Sequence, residues 1–283
     1  MSDDKKARHD SEYKALLALY ISLLKAFNGG DKEEALYDLA ELRTDYAFRH
    51  VLEGLGIDYD EALLLLKSKN DENLTERDKE MQKRLIAAIS NLIEFSVCEE
   101  YQLYDETSEL IGDSEIDFNS DEYDELIGLC GKYNDTYAAI ENGDIEYAGL
   151  MAMRWLSFSS ADYLVYWTQN DALVRPWHMA LQGYAAPKDE FPAWMIPPIE
   201  WNCRCFLENL EVSASADKNI RNIKGTSNKL EKPKELDNVF SESLATCGRI
   251  FGQSHSYFKV KKSDRKMLQG FVSRLKEKYN GQV

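Results

Sequence analysis

The chain has few of the residues and patterns that mark a secreted or membrane protein. Its five cysteines are irregularly spaced and do not form the framework of a disulfide-rich domain. No apolar run is long enough for a transmembrane helix, because charged residues interrupt every apolar cluster. The first ten residues carry charges but no apolar core, so we expect no secretory signal. These absences predict a protein that folds in a cytoplasm and has no membrane partner.

Catalytic signatures are missing as well. The sequence contains no Gly-x-Ser-x-Gly, no P-loop, no His-Glu-x-x-His and no paired Cys-x-x-Cys boxes. The acidic stretch 104–147 lacks the twelve-residue loop with an obligatory glycine that binds Ca²⁺ in proteins. We therefore interpret that stretch as a solvated face, and the residues favour a protein that is not an enzyme.

Charge is distributed unevenly along the chain. The net charge is −16, but residues 217–283 carry +8 and residues 1–216 carry −24. The basic part could contact DNA phosphates or an acidic protein surface, or the two parts could pair within the chain. For the first alternative, the candidate polyanion contacts are Lys259, Lys261, Lys262, Arg265, Lys266 and Arg274.

Helical periodicity dominates the first half of the chain. Gly29 and Gly30 are expected to end the first helix, and Thr75 with Asp78 resembles a capping box at the start of a long one. We interpret the acidic residues 104–122 as a loop. The predicted helices cover residues 11–28, a segment beginning at Asp31, residues 58–69, 75 to about 103, 121–134 and 144–156.

The second half differs in composition and contains segments that predict strands, so the predicted fold class is α+β. Residues 163–168 are aromatic and β-branched and predict a strand, and residues 203–210 a second one. Between them we predict a short helix over 174–182, with a proline in its first turn, and a loop over 184–202. Residues 263–280 form a basic amphipathic pattern that predicts a final helix.

The segment Trp167–Cys205 is the most unusual part of the chain. It contains five of the six prolines and four of the five tryptophans. His178, Cys203 and Cys205 within it could bind Zn²⁺, which prefers nitrogen and sulfur ligands in a four-coordinate site. The possible fourth ligands are Asp171, Asp189, Cys247 and His255.

A purely structural interpretation of the same residues stays open. The cysteines could pack beneath Trp194 and Trp201, with Arg204 facing outward to a carboxylate such as Asp171. In that case Asp171 could cap the following helix, and His178 could bond to backbone in the 184–202 loop. A third alternative groups Asp171, Arg175 and His178 as an acid–base or phosphate-binding site.

Several residues of this segment follow a recognisable order. They are Trp167 and Thr168, Asp171, Arg175, His178, Gly183, Pro197, Pro198 and Asn202 through Cys205, with Trp201 and Arg204 inside the closing box. The order and spacing resemble the phage Mu protein F-like family of minor head proteins. The likeness covers roughly residues 150–260. A later block, Val239 to Phe258, is similar to one in some relatives but has Ser256 where they often have proline.

The resemblance implies a minor head protein of a tailed bacteriophage or prophage that acts in head morphogenesis, DNA packaging or ejection. It implies a place inside the virion head near the portal, with the host cytoplasm as the site of assembly. Portal or capsid proteins would be partners, and the basic tail could contact packaged DNA. Two alternatives stay open: a toxin-like or metal-dependent enzyme module, and a cytoplasmic binding protein outside the virion.

The expected organisation combines the periodicity of the first half, the Ser-, Asn- and Lys-rich composition of residues 213–235, and this likeness for the central domain and the later block. A helical docking region would precede a small α+β Mu F-like domain, and a flexible connector would lead to a C-terminal block with the basic helix. The corresponding ranges are 1–140, 150–212, 213–235 and 236–283.

Overall fold

The computed structural model describes residues 3–68, 73–211 and 238–280. The predicted connector at 213–235 lies outside these residues. The described chain is mainly helical with one small antiparallel sheet, which confirms the α+β class. None of its described helices is both long and apolar enough to cross a membrane.

Two compact units are assembled from segments that alternate along the sequence. The helical unit comprises Met1–His50, Ile89–Gly143 and His255–Val283, and the sheet unit comprises Val51–Ala88 and Asp144–Ser254. This grouping differs from the consecutive ranges given above. The Mu F-like domain stays a prediction.

The described elements have the following bounds. The α-helices are α1 Asp3–Phe27, α2 Lys32–Leu55, α3 Tyr59–Lys67, α4 Glu76–Ile111, α5 Asp121–Gly131, α6 Ala138–Ser157, α7 Pro176–Leu181 and α8 Arg265–Asn280, and the strands are β1 Tyr163–Trp167, β2 Ala185–Pro187 and β3 Phe206–Asn209.

The predicted helix boundaries are confirmed where side-chain chemistry defines them. Gly29 follows α1 with a φ of 132°, which side chains rarely adopt. The capping box of α4 is present: the Thr75 hydroxyl accepts from the backbone N–H of Asp78 at 3.2 Å, and the Thr75 N–H donates to the Asp78 carboxylate at 3.0 Å. Asp58 caps α3 through its side chain.

The loop predicted over 104–122 is wrong in its first part, where α4 continues to Ile111. Thr107 is buried, and its hydroxyl shares a 2.7 Å hydrogen bond with the hydroxyl of Tyr20 on α1. Packing against α1 therefore keeps this acidic segment helical, which composition alone did not indicate.

The break predicted between residues 134 and 144 is also wrong. A π-helical turn, Lys132–Tyr137, leads from α5 directly into α6. Tyr133 is buried there and donates to the carboxylate of Glu106 at 2.7 Å. Gly143 lies inside α6 without ending it.

The helical unit buries a charged cluster around Arg43. The Arg43 guanidinium donates to Glu99 at 2.7 Å and to Glu141 at 3.0 Å. Glu100, also fully buried, accepts from Asn134 at 3.2 Å. Burial and the nearby charge of Glu99 raise the pKa of Glu100 and of Glu141 well above the ordinary range, although the cation of Arg43 opposes the shift. One cation therefore serves three carboxyl groups.

The basic helix α8 belongs to the helical unit and packs through a regular apolar face. Its buried residues are Leu268, Phe271, Leu275 and Tyr279. The ring of Phe271 contacts Tyr37 on α2, with ring centroids 5.5 Å apart. The predicted amphipathic helix is thus confirmed, and its apolar stripe is part of the core.

The sheet unit is organised around β1, the central strand in the order β2-β1-β3. β2 pairs antiparallel with β1 through Leu164 and Ala186, and β3 pairs antiparallel through Val165 and Glu208. Strand β2 lies in the segment predicted to be loop, and β3 begins only at Phe206 rather than at Cys203. The two cysteines therefore precede the strand and do not belong to it.

The parts of α2 and α6 that belong to the sheet unit, residues 51–55 and 144–157, approach each other through glycine. A Cβ atom at Gly54 on α2 would lie 1.9 Å from the carbonyl oxygen of Glu146 on α6, and one at Gly149 would lie 2.5 Å from the carbonyl oxygen of Val51. Backbone contact this close admits no side chain at either position.

Candidate metal centre

The structure brings together the three residues that the sequence suggested as metal ligands. Nδ1 of His178 on α7 lies 3.3 Å from Sγ of Cys205 and 3.9 Å from Sγ of Cys203. All three ligand atoms lie within 4.8 Å of one another. The residues are 2 %, 4 % and 2 % exposed for His178, Cys203 and Cys205, so the group lies inside the sheet unit.

The two thiols are not equivalent. Their mutual hydrogen bond and burial raise the pKa of the Cys203 thiol. The hydrogen bond from Cys203 lowers the pKa of the Cys205 thiol, and the Tyr166 hydroxyl and the charges of Arg204 and Arg175 act in the same direction against burial. Cys205 is therefore the sulfur that ionises first, with Cys203 as its hydrogen-bond donor.

Glu200 organises the outer side of this group. Its Oε2 accepts from the indole Nε1 of Trp177 at 2.9 Å and lies 3.2 Å from Nε2 of His178. The Nε of Arg175 lies 3.2 Å from the same oxygen, and the guanidinium of Arg175 also donates to the carbonyl of Trp201 at 2.8 Å. The Glu200 carboxylate thus holds the imidazole so that Nδ1 faces the sulfurs.

Arg204, between the two cysteines, points outward to Asp171. Its guanidinium donates two hydrogen bonds to the Asp171 carboxylate, at 2.7 and 2.8 Å, and this bidentate pair lowers the pKa of Asp171. The pair was expected under the structural interpretation of the segment. Asp171 does not cap α7, because the N-cap position is held by Arg175 without a side-chain cap bond.

A buried carboxyl group, that of Asp144, supports the backbone just before the cysteines. Both oxygens of Asp144 accept from the backbone N–H of Asn202 at 3.0 Å, and Asn202 has a φ of 55°. Burial raises the pKa of Asp144 to about 7, although the Asn202 bond opposes the shift. On the same side, the Tyr147 hydroxyl donates to the carbonyl of Cys205 at 2.7 Å.

The other residues of the motif support this frame. Gly183 adopts a φ of 78° and donates from its backbone to the carbonyl of Tyr166 in β1 at 2.9 Å. Trp167 is buried in β1, and Pro197 and Pro198 are buried and joined by a cis peptide bond. Trp201 is half-buried and stacks on Phe251 of the later block at a centroid distance of 5.4 Å.

The predicted fourth ligands do not join the group. Asp171 is engaged by Arg204, Asp189 and Cys247 are exposed, and His255 belongs to the helical unit. Among residues 3–68, 73–211 and 238–280, no other His, Cys, Asp or Glu side chain adds a ligand atom to this cluster. The described residues therefore supply three candidate ligands to this group.

Sequence reasoning missed Glu200, Asp144, Tyr147 and Tyr166. Glu200 could have been found, because it stands between the Pro-Pro pair and the cysteine box, in the most distinctive part of the sequence. Asp144 carries no such signal, since it lies 58 residues from the backbone group it binds and within an ordinary helical pattern.

The predicted polyanion contacts belong to the helical unit. Lys261 pairs with Asp105 at 2.6 Å and with Glu109 at 2.9 Å, and Arg274 forms a bidentate pair with Glu34. Intramolecular pairing of the acidic and basic parts, one of the two alternatives, is therefore present in this unit. The remaining predicted contacts are exposed: Lys259, Lys262, Arg265 and Lys266.

Comparison with protein-family models, with curated proteins and with solved structures gives no match to this chain.

Proposed function

We propose that the chain is a minor head protein of a tailed bacteriophage or prophage, in which the Trp167–Cys205 segment has a structural role. The proposal rests on the resemblance of this segment to the Mu F-like family. In this proposal the protein is placed near the portal and acts in head morphogenesis, DNA packaging or ejection.

One observation carries the structural part of the proposal: the motif residues contact one another. Arg204 binds Asp171, Arg175 binds the carbonyl of Trp201, and Gly183 binds β1. His178 lies against both cysteines. Residues that are far apart in sequence thus hold three loops and a helix together, as expected when the motif specifies a fold rather than a substrate pocket.

The enzyme alternative is less well supported by the same geometry. A catalytic group must reach its substrate, whereas His178, Cys203 and Cys205 are nearly inaccessible. Arg175, the cation of the possible acid–base or phosphate site, is held by Glu200 and by a backbone carbonyl. These contacts favour a structural role for the segment within the folded chain.

The experiment is mass spectrometry of purified particles of the phage that encodes the chain, or of particles released after prophage induction. We expect peptides from both 3–68 and 73–211 at a constant ratio to the portal protein through density-gradient fractions. A host protein of similar abundance serves as the contamination control. Absence of the chain from particles that contain portal protein, while it accumulates in the host cytoplasm, would contradict the proposal and favour the non-virion binding protein.

A further inference from the structure

We propose that His178, Cys203 and Cys205 bind one Zn²⁺ ion through Nδ1 and the two sulfur atoms. The site is defined by side chains of this chain alone, and it does not depend on the proposed role in the phage head. Its function would be to connect α7 to the segment that precedes β3.

The distances fit a tetrahedral zinc ion. With Zn–N of about 2.0–2.1 Å and Zn–S of about 2.3 Å, tetrahedral angles place a nitrogen and a sulfur ligand about 3.6 Å apart. The observed separations from Nδ1 of His178 are 3.3 Å to Cys205 and 3.9 Å to Cys203, on either side of that value. Small rotations of the two thiols would therefore make the coordination regular.

The tautomer of His178 also fits. Glu200 Oε2 lies 3.2 Å from Nε2 and is a hydrogen-bond acceptor, so the imidazole proton belongs on Nε2. The lone pair of Nδ1 then points to the sulfurs. A carboxylate that orients the far nitrogen of a histidine is the usual outer contact of a metal-bound imidazole.

The donor types favour a soft divalent cation. When a metal ion displaces the two thiol protons, two thiolates and one neutral imidazole carry a charge of −2, which a divalent ion balances. The nearest guanidinium groups do not occupy the space between the three donors, because Arg204 binds Asp171 and Arg175 binds Glu200. Sulfur and imidazole ligands select Zn²⁺ over Mg²⁺ and Ca²⁺, which require oxygen.

His178, Cys203 and Cys205 are three of the four ligands that Zn²⁺ requires, and water would take the fourth coordination position. The three ligand residues are almost completely buried, so the ion would be shielded from bulk solvent and from large substrates.

The first test is the zinc content of the full chain, purified without chelator under reducing conditions and measured by plasma mass spectrometry. We expect about one zinc per chain. Cys203→Ser, Cys205→Ser and His178→Ala should each lower the content at least tenfold. Cys247→Ser is the matched control, because Cys247 is a free and exposed thiol outside the group, and it should retain the metal.

The second test keeps the result interpretable if the ligand variants fold poorly. Wild-type protein stripped of metal is titrated with Co²⁺, whose tetrahedral thiolate complexes give intense visible bands and a thiolate charge-transfer band. We expect both, at one equivalent. Glu200→Gln retains all three ligands and should weaken binding by about 10–100-fold.

Folded, reduced wild-type protein that holds no zinc and gives no tetrahedral cobalt spectrum would overturn the proposal. A disulfide between Cys203 and Cys205 in protein purified under reducing conditions, or zinc that all three ligand variants retain, would do so as well. In each case the thiols would hydrogen-bond to one another and to Nδ1 without a metal.

Discussion

The two units bury polar clusters of opposite design. In the helical unit, three buried carboxyl groups surround Arg43, a cation that the chain supplies. In the sheet unit, two thiols and an imidazole converge, but the neighbouring guanidinium groups of Arg175 and Arg204 are engaged elsewhere. The first cluster contains its own cation, whereas the second is the one for which we propose a bound metal ion.

This difference predicts how each unit responds to change. Stability of the helical unit should depend on Arg43 and on pH, because the Arg43 guanidinium and bound protons offset the charge of the buried carboxyl groups. Stability of the sheet unit should depend on the metal content of the solution and on close backbone packing. Changes that affect one unit and spare the other distinguish the two designs.

The largest expected effect is that of Arg43→Gln. This substitution removes the cation and leaves buried carboxylates without their partner, which costs roughly 3–5 kcal/mol of unfolding free energy when a buried pair is broken in this way. The measurement is chemical denaturation at neutral pH. Arg49→Gln is the control on the same helix, because Arg49 forms an exposed pair with Asp45, and we expect little change from it.

Arg43→Gln also tests whether a change in the helical unit leaves the sheet unit intact. Zinc content of Arg43→Gln should equal that of the wild-type protein as long as the variant is folded. A loss of stability no larger than that of Arg49→Gln would mean that the carboxyl cluster is neutral throughout and needs no countercharge.

The second prediction concerns the glycine crossing of the sheet unit. Gly54→Ala places a methyl group against the carbonyl oxygen of Glu146, and overpacking of this kind costs about 1–3 kcal/mol. Gly143→Ala is the control on α6, at the end of the helical unit's segment Ile89–Gly143, because there is open space where its Cβ would be. Alanine there should stabilise by about 0.5–1 kcal/mol.

Thermal unfolding measures the shift in Tm of each variant, which should be negative for Gly54→Ala and positive for Gly143→Ala. Equal and positive shifts in Tm would show that the two helices separate at no cost, and that close backbone packing does not contribute to the sheet unit.

The sequence predicted those features that depend on neighbouring residues. Gly29 at the end of α1, the Thr75 capping box and the aromatic strand β1 follow from local geometry. The metal-ligand group could also be anticipated, because one compact motif contains His178 and both cysteines, although their meeting requires α7 to fold back onto the segment before β3.

The features that were missed depend on distant partners. Strand β2 contains only Ala185–Pro187, and it forms because its backbone pairs with that of β1. Glu99 and Glu141 occur in ordinary helical patterns. Their neighbours in sequence do not show that both carboxyl groups are buried against Arg43, which lies 56 residues from Glu99 and 98 residues from Glu141. Long-range pairing of charge is not encoded in periodicity.

The third prediction is a change in pH dependence. The raised pKa of Glu100 means that the folded protein binds this proton more tightly than the unfolded chain does. Its contribution to stability is fully present below the ordinary pKa of about 4.5 and is lost as pH rises through the folded-state pKa. Glu100→Gln lacks this titration, so its stability should fall less than that of the wild-type protein between pH 5 and pH 8.

The measurement is Tm at half-unit steps of pH, with Glu125→Gln on the exposed side of α5 as the control. The control should follow the wild-type curve. If the Glu100→Gln curve has the wild-type shape as well, the carboxyl group of Glu100 does not titrate differently in the folded and unfolded states.

The smallest effect on stability is expected from the exposed cations near the start of α8. Lys262, Arg265 and Lys266 are exposed and lie outside the buried clusters, so replacing all three with alanine should leave Tm unchanged. If this surface contacts DNA, the same variant should bind more weakly, and the slope of log affinity against log salt should fall by about 2–3, close to one unit per lost phosphate contact. Arg274→Ala is the matched control, because its guanidinium is already committed to Glu34 and should contribute less to the slope. Equal salt slopes for the wild-type protein and the triple variant would mean that these cations only balance the acidic surface of their own unit.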